Sequence, residues 1–96
     1  MRVVAVFTDI PEMLEHRKQY GQAHLDFLRE NQAEILVGGG LRDEEGSDYV
    51  GGLWIMEVDS LARAKAIIES DPYYMPAYRT YTLKVWGKAF DEPVVI

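Results

Sequence analysis

His24 stands in the stretch YGQAHLDFLREN, at a position where a helical pattern asks for another leucine. Wound at 3.6 residues per turn, Leu25 and Leu28 fall together with Phe27 and Tyr20 on the flank, and His24 projects from the same stripe. Imidazole is the side chain whose unperturbed titration lies nearest neutrality, so one reading is a general acid/base. The other is a helix histidine bonded to backbone or half in solvent. Arg17 lies seven residues earlier on that stripe, either as a guanidinium that clamps an anion or as a snorkelling surface arginine. Asp71, in the segment SDPYY, falls where a second helix should end. An acid there opposes the helix macrodipole by about 0.3–1 kcal/mol. It could cap the short turn PYYMP, hold one ring nitrogen of His24 and so orient the imidazole, or do both. Tyr73 and Tyr74 could line a pocket or simply pack.

Other groups carry weaker signals. The triplet Gly38-Gly39-Gly40 lacks the following Lys and Ser/Thr of a phosphate loop, so close backbone approach to a ligand or a partner is the better reading. His16 and Glu12 share helical spacing, but two ligands do not make a metal site, and both are expected on a solvated face. Ser47, Ser60 and Ser70 lack the context of a nucleophile elbow. Cysteine is absent, which removes disulfides, thiolate nucleophiles and thiolate metal sites and suits a reducing cytoplasm. No metal and no cofactor is expected.

The chain has 96 residues, 48% of them hydrophobic and 27% charged, which predicts one globular domain spanning 1–96. Sixteen acids against ten bases give a formal net charge of −6. Nucleic-acid binding draws on clustered Lys and Arg, and no such cluster exists here. The same charge disfavours anionic membranes, and no segment approaches the about 18 apolar residues of a membrane span. A small anionic substrate stays compatible, because a local arginine can override the global field.

The elements that would position these residues follow from the pattern. Val3–Thr8 is a nearly all-apolar run suited to a strand in mid-sheet. Pro11 can start a helix running from about Glu12 to Asn31, with a break or kink expected at Gly21. Glu34–Leu41 and Tyr49–Val58 read as strands around the polar turn RDEEGSD. Ser60 is a good N-cap for a helix through Ser70 with Leu61, Ala64 and Ile68 inward, and Pro72 stops it. Tyr78–Trp86 is a fourth strand, and DEPVVI is a tail expected on a partner or on the sheet edge.

The order βαββαβ is that of an α+β, ferredoxin-like fold: a four-stranded antiparallel sheet with two helices on one face. Trp54 and Met56, with Trp86 or Tyr81, are expected on the opposite, open face. A monomer would leave that face wet, which predicts a homodimer packed sheet against sheet. In this topology the end of strand one, the start of helix one, the end of helix two and the start of strand four share one end. Asp9, Arg17, Asp71 and Tyr73, with His24, should converge there.

The chain resembles the YCII-related family of small bacterial proteins with a dimeric ferredoxin-like α+β barrel. The pieces that carry the resemblance are the opening strand ending in Asp9, HRKQYGQAHLDFL with Arg17 and His24, VGGGLRD, DSLARAKAIIESDPY and YTLKVW. It implies a site centred on a histidine and an aspartate, here His24 and Asp71, with Asp9 a further acid. Relatives include small-molecule enzymes, among them a dehydrochlorinase of aromatic degradation, and the wider class includes muconolactone isomerases. Two departures bear on the pocket. Relatives commonly carry a proline shortly before the histidine, where this chain reads Tyr20-Gly21-Gln22, and often Gly-Pro where it reads Gly38-Gly39-Gly40.

The function expected is a cofactor-free isomerase or lyase that moves a proton on an oxygenated small molecule. His24 and Asp71 would be its catalytic pair, and Arg17, Asp9 and Tyr73 its substrate contacts. The alternative is a non-catalytic ligand-binding or assembly module in which His24 and Asp71 only tie the helices together. A cofactor-free monooxygenase of the same barrel class is a further option that a product assay would separate.

Overall fold

β-Branched and aromatic residues are frequent in three of the four chain segments that form strands, and the computed structural model, which describes residues 1–96, has all four in one sheet. The elements in chain order are β1 (Arg2–Asp9), α1 (Met13–Glu30), β2 (Ile35–Arg42), β3 (Tyr49–Glu57), α2 (Leu61–Ser70) and β4 (Arg79–Val85). The sheet order is β2-β3-β1-β4 with every neighbour antiparallel. This is the ferredoxin-like arrangement, since each helix links two strands that have a third between them. No helix is long and apolar enough to cross a membrane.

The core lies between the sheet and the helices. Val3, Ala5 and Phe7 of β1 and Trp54 and Met56 of β3 meet Ala64, Ile67 and Ile68 of α2, with Phe27 and Leu28 of α1 packed alongside. Phe7 meets Trp54 edge to face, ring centroids 5.0 Å apart. Burying side chains of this size contributes roughly 1.5–3 kcal/mol each relative to exposure. The expected face of β3 is therefore reversed. Trp54 and Met56 lie beneath the helices, as does Tyr81, packed against the same cluster. The open face carries Val4, Leu53, Ile55 and Trp86. Pairing decides the phase: Ala5 and Val3 are the Cα partners of Trp54 and Met56, so the small residues of β1 stand beside the large ones of β3 on the core side.

Other expectations change at single residues. α1 runs unbroken through Gly21, whose missing side chain lets the Tyr73 hydroxyl approach. Packing of the long helix offsets the roughly 1 kcal/mol that an interior glycine costs. Leu25 and Tyr20 are exposed, so the inward stripe of α1 is Met13, His16, His24, Phe27 and Leu28. His16 is buried rather than solvated, with its ring against Tyr20 and its Nε2 donating to the Pro72 carbonyl at 2.9 Å. In α2 Ala64 and Ile68 face inward as expected, joined by Ile67, and Leu61 faces solvent. Ser60 caps that helix as expected, its hydroxyl accepting the Arg63 N–H at 3.0 Å. The β2–β3 turn is closed at Gly46, whose φ of 84° suits glycine. Residues 91–96 form no strand, and Val94, Val95 and Ile96 are exposed.

Candidate active site

α2 ends at Ser70 because Pro72 pushes Asp71 out of helical geometry, to φ −68° and ψ 133°. The turn that follows is held by α1 at three points. His24 Nδ1 lies 2.7 Å from Asp71 Oδ1. His16 holds the Pro72 carbonyl, and the Tyr73 hydroxyl donates to the Arg17 carbonyl at 3.3 Å. Asp71 Oδ1 also accepts the Tyr73 N–H at 3.0 Å, so this carboxylate both caps the turn and meets the imidazole. A carboxylate oxygen that already accepts one N–H acts as acceptor to His24 as well. Nδ1 therefore carries a proton, and Nε2 is the ring position left to exchange one. Tyr73 stacks on the imidazole with ring centroids 3.8 Å apart and an interplanar angle of 6°, which fixes the plane of the ring.

A second cluster adjoins the first. Asp9, at the end of β1, is the Cα partner of Arg79 at the start of β4. Its carboxylate accepts from Arg79 Nε at 2.6 Å, from Arg79 Nη2 at 3.0 Å and from Arg17 Nη2 at 3.1 Å. Arg17 Nη2 also donates to the Gly51 carbonyl at 2.8 Å, while its Nε is buried without a partner. Two guanidiniums against one carboxylate leave the cluster with a net charge of +1 inside a protein whose total is −6. Both arginines also lie within cation–π distance of the Tyr73 ring, at 5.3 and 5.6 Å.

Between the clusters lies a small cleft of about 20 Å³, lined by Arg17, His24, Gly39, Gly40, Gly52, Trp54, Tyr73 and Arg79. Asp9, Arg17, His24, Asp71 and Tyr73 thus come together at one end of the molecule, as the topology requires. Tyr74 does not join them. It reaches Glu69 at 3.4 Å, and burial, with the Glu69 carboxylate beside it, pushes its phenol above the usual range. Sequence reasoning missed Arg79 and Gly52. Arg79 was within reach, because antiparallel pairing of the end of β1 with the start of β4 sets a base directly across from Asp9. No three His, Asp or Glu side chains come together in a set that could hold a metal ion.

The arrangement can hold an anionic oxygen on guanidinium groups beside an imidazole of fixed orientation. Sheet order and helix placement make the molecule a ferredoxin-like α+β protein. Its sequence is more specific: the model of the YCII-related domain matches residues 1–87, and the chain belongs to that family. Among solved structures it is similar to 5-chloro-2-hydroxyhydroquinone dehydrochlorinase from Burkholderia phenoliruptrix, in complex with 2,5-dihydroxybenzoquinone. That match has a TM-score of 0.78 and 28% identity, covering 91% of this chain and 94% of the other. An uncharacterized NIPSNAP domain protein from Burkholderia xenovorans shares the fold, with a TM-score of 0.51 and 16% identity over 96% of this chain and all of its own. No curated protein matches the sequence.

Proposed function

We propose that this protein is a small-molecule enzyme that transfers a proton in a lyase or isomerase reaction on an oxygenated, anionic substrate. The observation that carries the reading is the 2.7 Å contact between His24 Nδ1 and Asp71 Oδ1, with the imidazole lining a cleft that also holds two guanidiniums. His24 is the acid/base acting through Nε2, and Asp71 orients it. Arg17 draws in the substrate's negative charge, Asp9 holds the arginines in place, and Tyr73 fixes the imidazole plane. Loss of a proton beside a carbonyl or enol leaves an oxyanion, and a positively charged cluster at that oxygen lowers the barrier. The dehydrochlorinase similarity supports the class, since removal of hydrogen chloride requires a base for the proton. Proton transfer leaves the oxidation state of the reactants unchanged and so requires no cofactor.

The test is turnover of 5-chloro-2-hydroxyhydroquinone and related hydroxyquinols, followed by chloride release or by deuterium uptake from solvent. His24→Gln should lower kcat by about 10²–10⁴-fold, the usual contribution of a positioned acid/base. Asp71→Asn should lower it too, and ¹⁵N shifts of the His24 ring should then show the proton redistributed between Nδ1 and Nε2. Full activity in His24→Gln removes the histidine from the mechanism.

A second reading is a non-catalytic binding or assembly module. It is favoured by the capping bond from Tyr73 N–H to Asp71, which gives that residue a structural use independent of chemistry. In that case Asp71→Asn lowers the melting temperature and no turnover is found. For either reading the protein is inferred to be a homodimer. The open face presents a mostly apolar groove of about 310 Å³ among Val4, Leu53, Ile55, Lys84, Val85 and Trp86, a surface suited to a second sheet.

A further inference from the structure

Gly40 and Gly52 are Cα partners across β2 and β3, and both line the cleft. A Cβ on Gly52 would stand 3.1 Å from the Gly39 carbonyl oxygen and 3.8 Å from Arg79 Nη2. On Gly40 it would fall 2.6 and 2.7 Å from Cδ1 and Cε1 of Tyr49, so the tyrosine ring rests directly on the glycine backbone. The same ring lies within cation–π distance of two guanidiniums, 5.0 Å from Arg17 and 5.1 Å from Arg42. Tyr49 is 40% exposed and stands over Gly40 at the margin of the cleft, whereas the aromatic residues that line it, Trp54 and Tyr73, are buried. The free space of the cleft beside it is about 20 Å³, enough for one water and not for a six-membered ring.

We propose that Tyr49 and the Gly40–Gly52 floor set the specificity of the site. The Tyr49 ring holds the seat of a planar, conjugated oxyanion of the enediolate or hydroxyquinone class, and it turns outward to admit that ligand. The inference rests on the reading of the cleft as a small-molecule site and deepens it to a substrate class. Three features carry it. The seat already holds a flat π system beside two cations, the surroundings that attract an electron-rich ring. The adjoining Asp9–Arg17–Arg79 cluster has one positive charge in excess, which a ring bearing an ionised oxygen offsets. The floor is bare backbone with little height to spare, and a puckered saturated ring is thicker than a flat one. Such a ring would meet the Gly39 carbonyl, where even a single Cβ would stand at 3.1 Å.

The experiment is binding of 2,5-dihydroxybenzoquinone to the full chain, with association followed by stopped-flow absorbance and Kd by calorimetry. Because a closed seat reduces the binding-competent fraction, Tyr49→Ala should raise the association rate about tenfold or more. Gly52→Val should weaken binding at least as much while its circular dichroism stays that of the wild type. Should Gly52→Val fail to fold, the Tyr49→Ala rate decides alone, since that side chain is partly exposed and outside the core. An unchanged rate in Tyr49→Ala overturns the proposal, as does wild-type affinity in a folded Gly52→Val. So does equal affinity for a puckered dianion, cyclohexane-1,4-dicarboxylate, or failure of both wild type and Tyr49→Ala to bind the probe. Binding with the expected Tyr49 effect in a protein that turns nothing over leaves the inference standing and removes the enzyme reading. Turnover that depends on His24, with Tyr49→Ala and Gly52→Val binding the probe as wild type does, has the opposite meaning.

Discussion

Replacing Asp9 by asparagine should destabilise the protein severely, and a second substitution should return part of the loss. The Asp9 side chain is 1% exposed and accepts three charge-assisted bonds from Arg79, 4% exposed, and Arg17, 14% exposed. Asparagine keeps the shape but removes the charge and points an amide donor toward guanidinium donors. Breaking a buried pair in this way leaves an uncompensated ion and costs about 3–5 kcal/mol. A domain of this size has roughly 5–15 kcal/mol in all, so the loss is a large fraction of the total. At about 4–8 °C per kcal/mol the melting temperature falls by roughly 12–40 °C. Arg17→Met, at the more exposed edge of the cluster, should cost only about 1.5–3 kcal/mol. The decisive variant is the double substitution Asp9→Asn with Arg79→Met, which removes the stranded cation and puts an apolar chain in its place. Urea unfolding followed by tryptophan fluorescence should show it more stable than Asp9→Asn alone, at an unchanged m-value. The coupling expected for groups in contact is about 0.5–3 kcal/mol. Losses that simply add, to within about 0.5 kcal/mol, would refute the account of Asp9 as the counter-ion of a buried guanidinium.

Two further outcomes follow from residues outside the cleft. Glu34 receives Arg63 Nε at 2.9 Å and Nη2 at 2.7 Å, and this hydrogen-bonded pair holds its carboxyl below the ordinary value of 4.5. A depressed carboxyl contributes stability that is present above the unfolded-state value and is lost as pH falls through the folded one. The melting difference between wild type and Glu34→Gln should therefore be present at pH 7, shrink below pH 4.5, and diminish in high salt because both side chains are open to solvent. Leu53→Glu, on the open sheet face, should halve the mass measured by light scattering while leaving the circular dichroism unchanged. A wild-type protein that is monomeric at micromolar concentration removes the sheet-to-sheet dimer.

The element order and the end of the fold where chemistry could gather were legible because helix and strand periods, Ser60, Pro72 and the polar turn before Tyr49 all point the same way. The phase of β3 was not. Leu53 and Ile55 are as apolar as Trp54 and Met56, so alternation alone cannot say which pair faces the helices. The register against Ala5 and Val3 settles it, and register is a property of two strands. His16 was misread for a related reason. Its spacing from Glu12 marks a helix face, but what buries it is the Pro72 turn, 56 residues further along the chain. Arg79 and Gly52 lie in sequence contexts without a motif, and they belong to the cleft only because pairing of β1 with β4, and of β2 with β3, brings them there.

The pairs that make up the site join distant parts of the chain: Asp9 with Arg79 across 70 positions, His24 with Asp71 across 47. β1 is an inner strand that can be completed only when β4 arrives, and Arg79, which completes the anion cluster, reaches the cleft only through that closure. Contacts of such long range form late and slowly compared with helices and hairpins. A nascent chain, a truncated one, or one nicked in the loop before β4 can contain every helix and most of the sheet and still have no anion cluster. Ligand binding at this cleft is thus a report on the whole molecule, and a binding signal in a cell extract would count only chains whose last strand has docked.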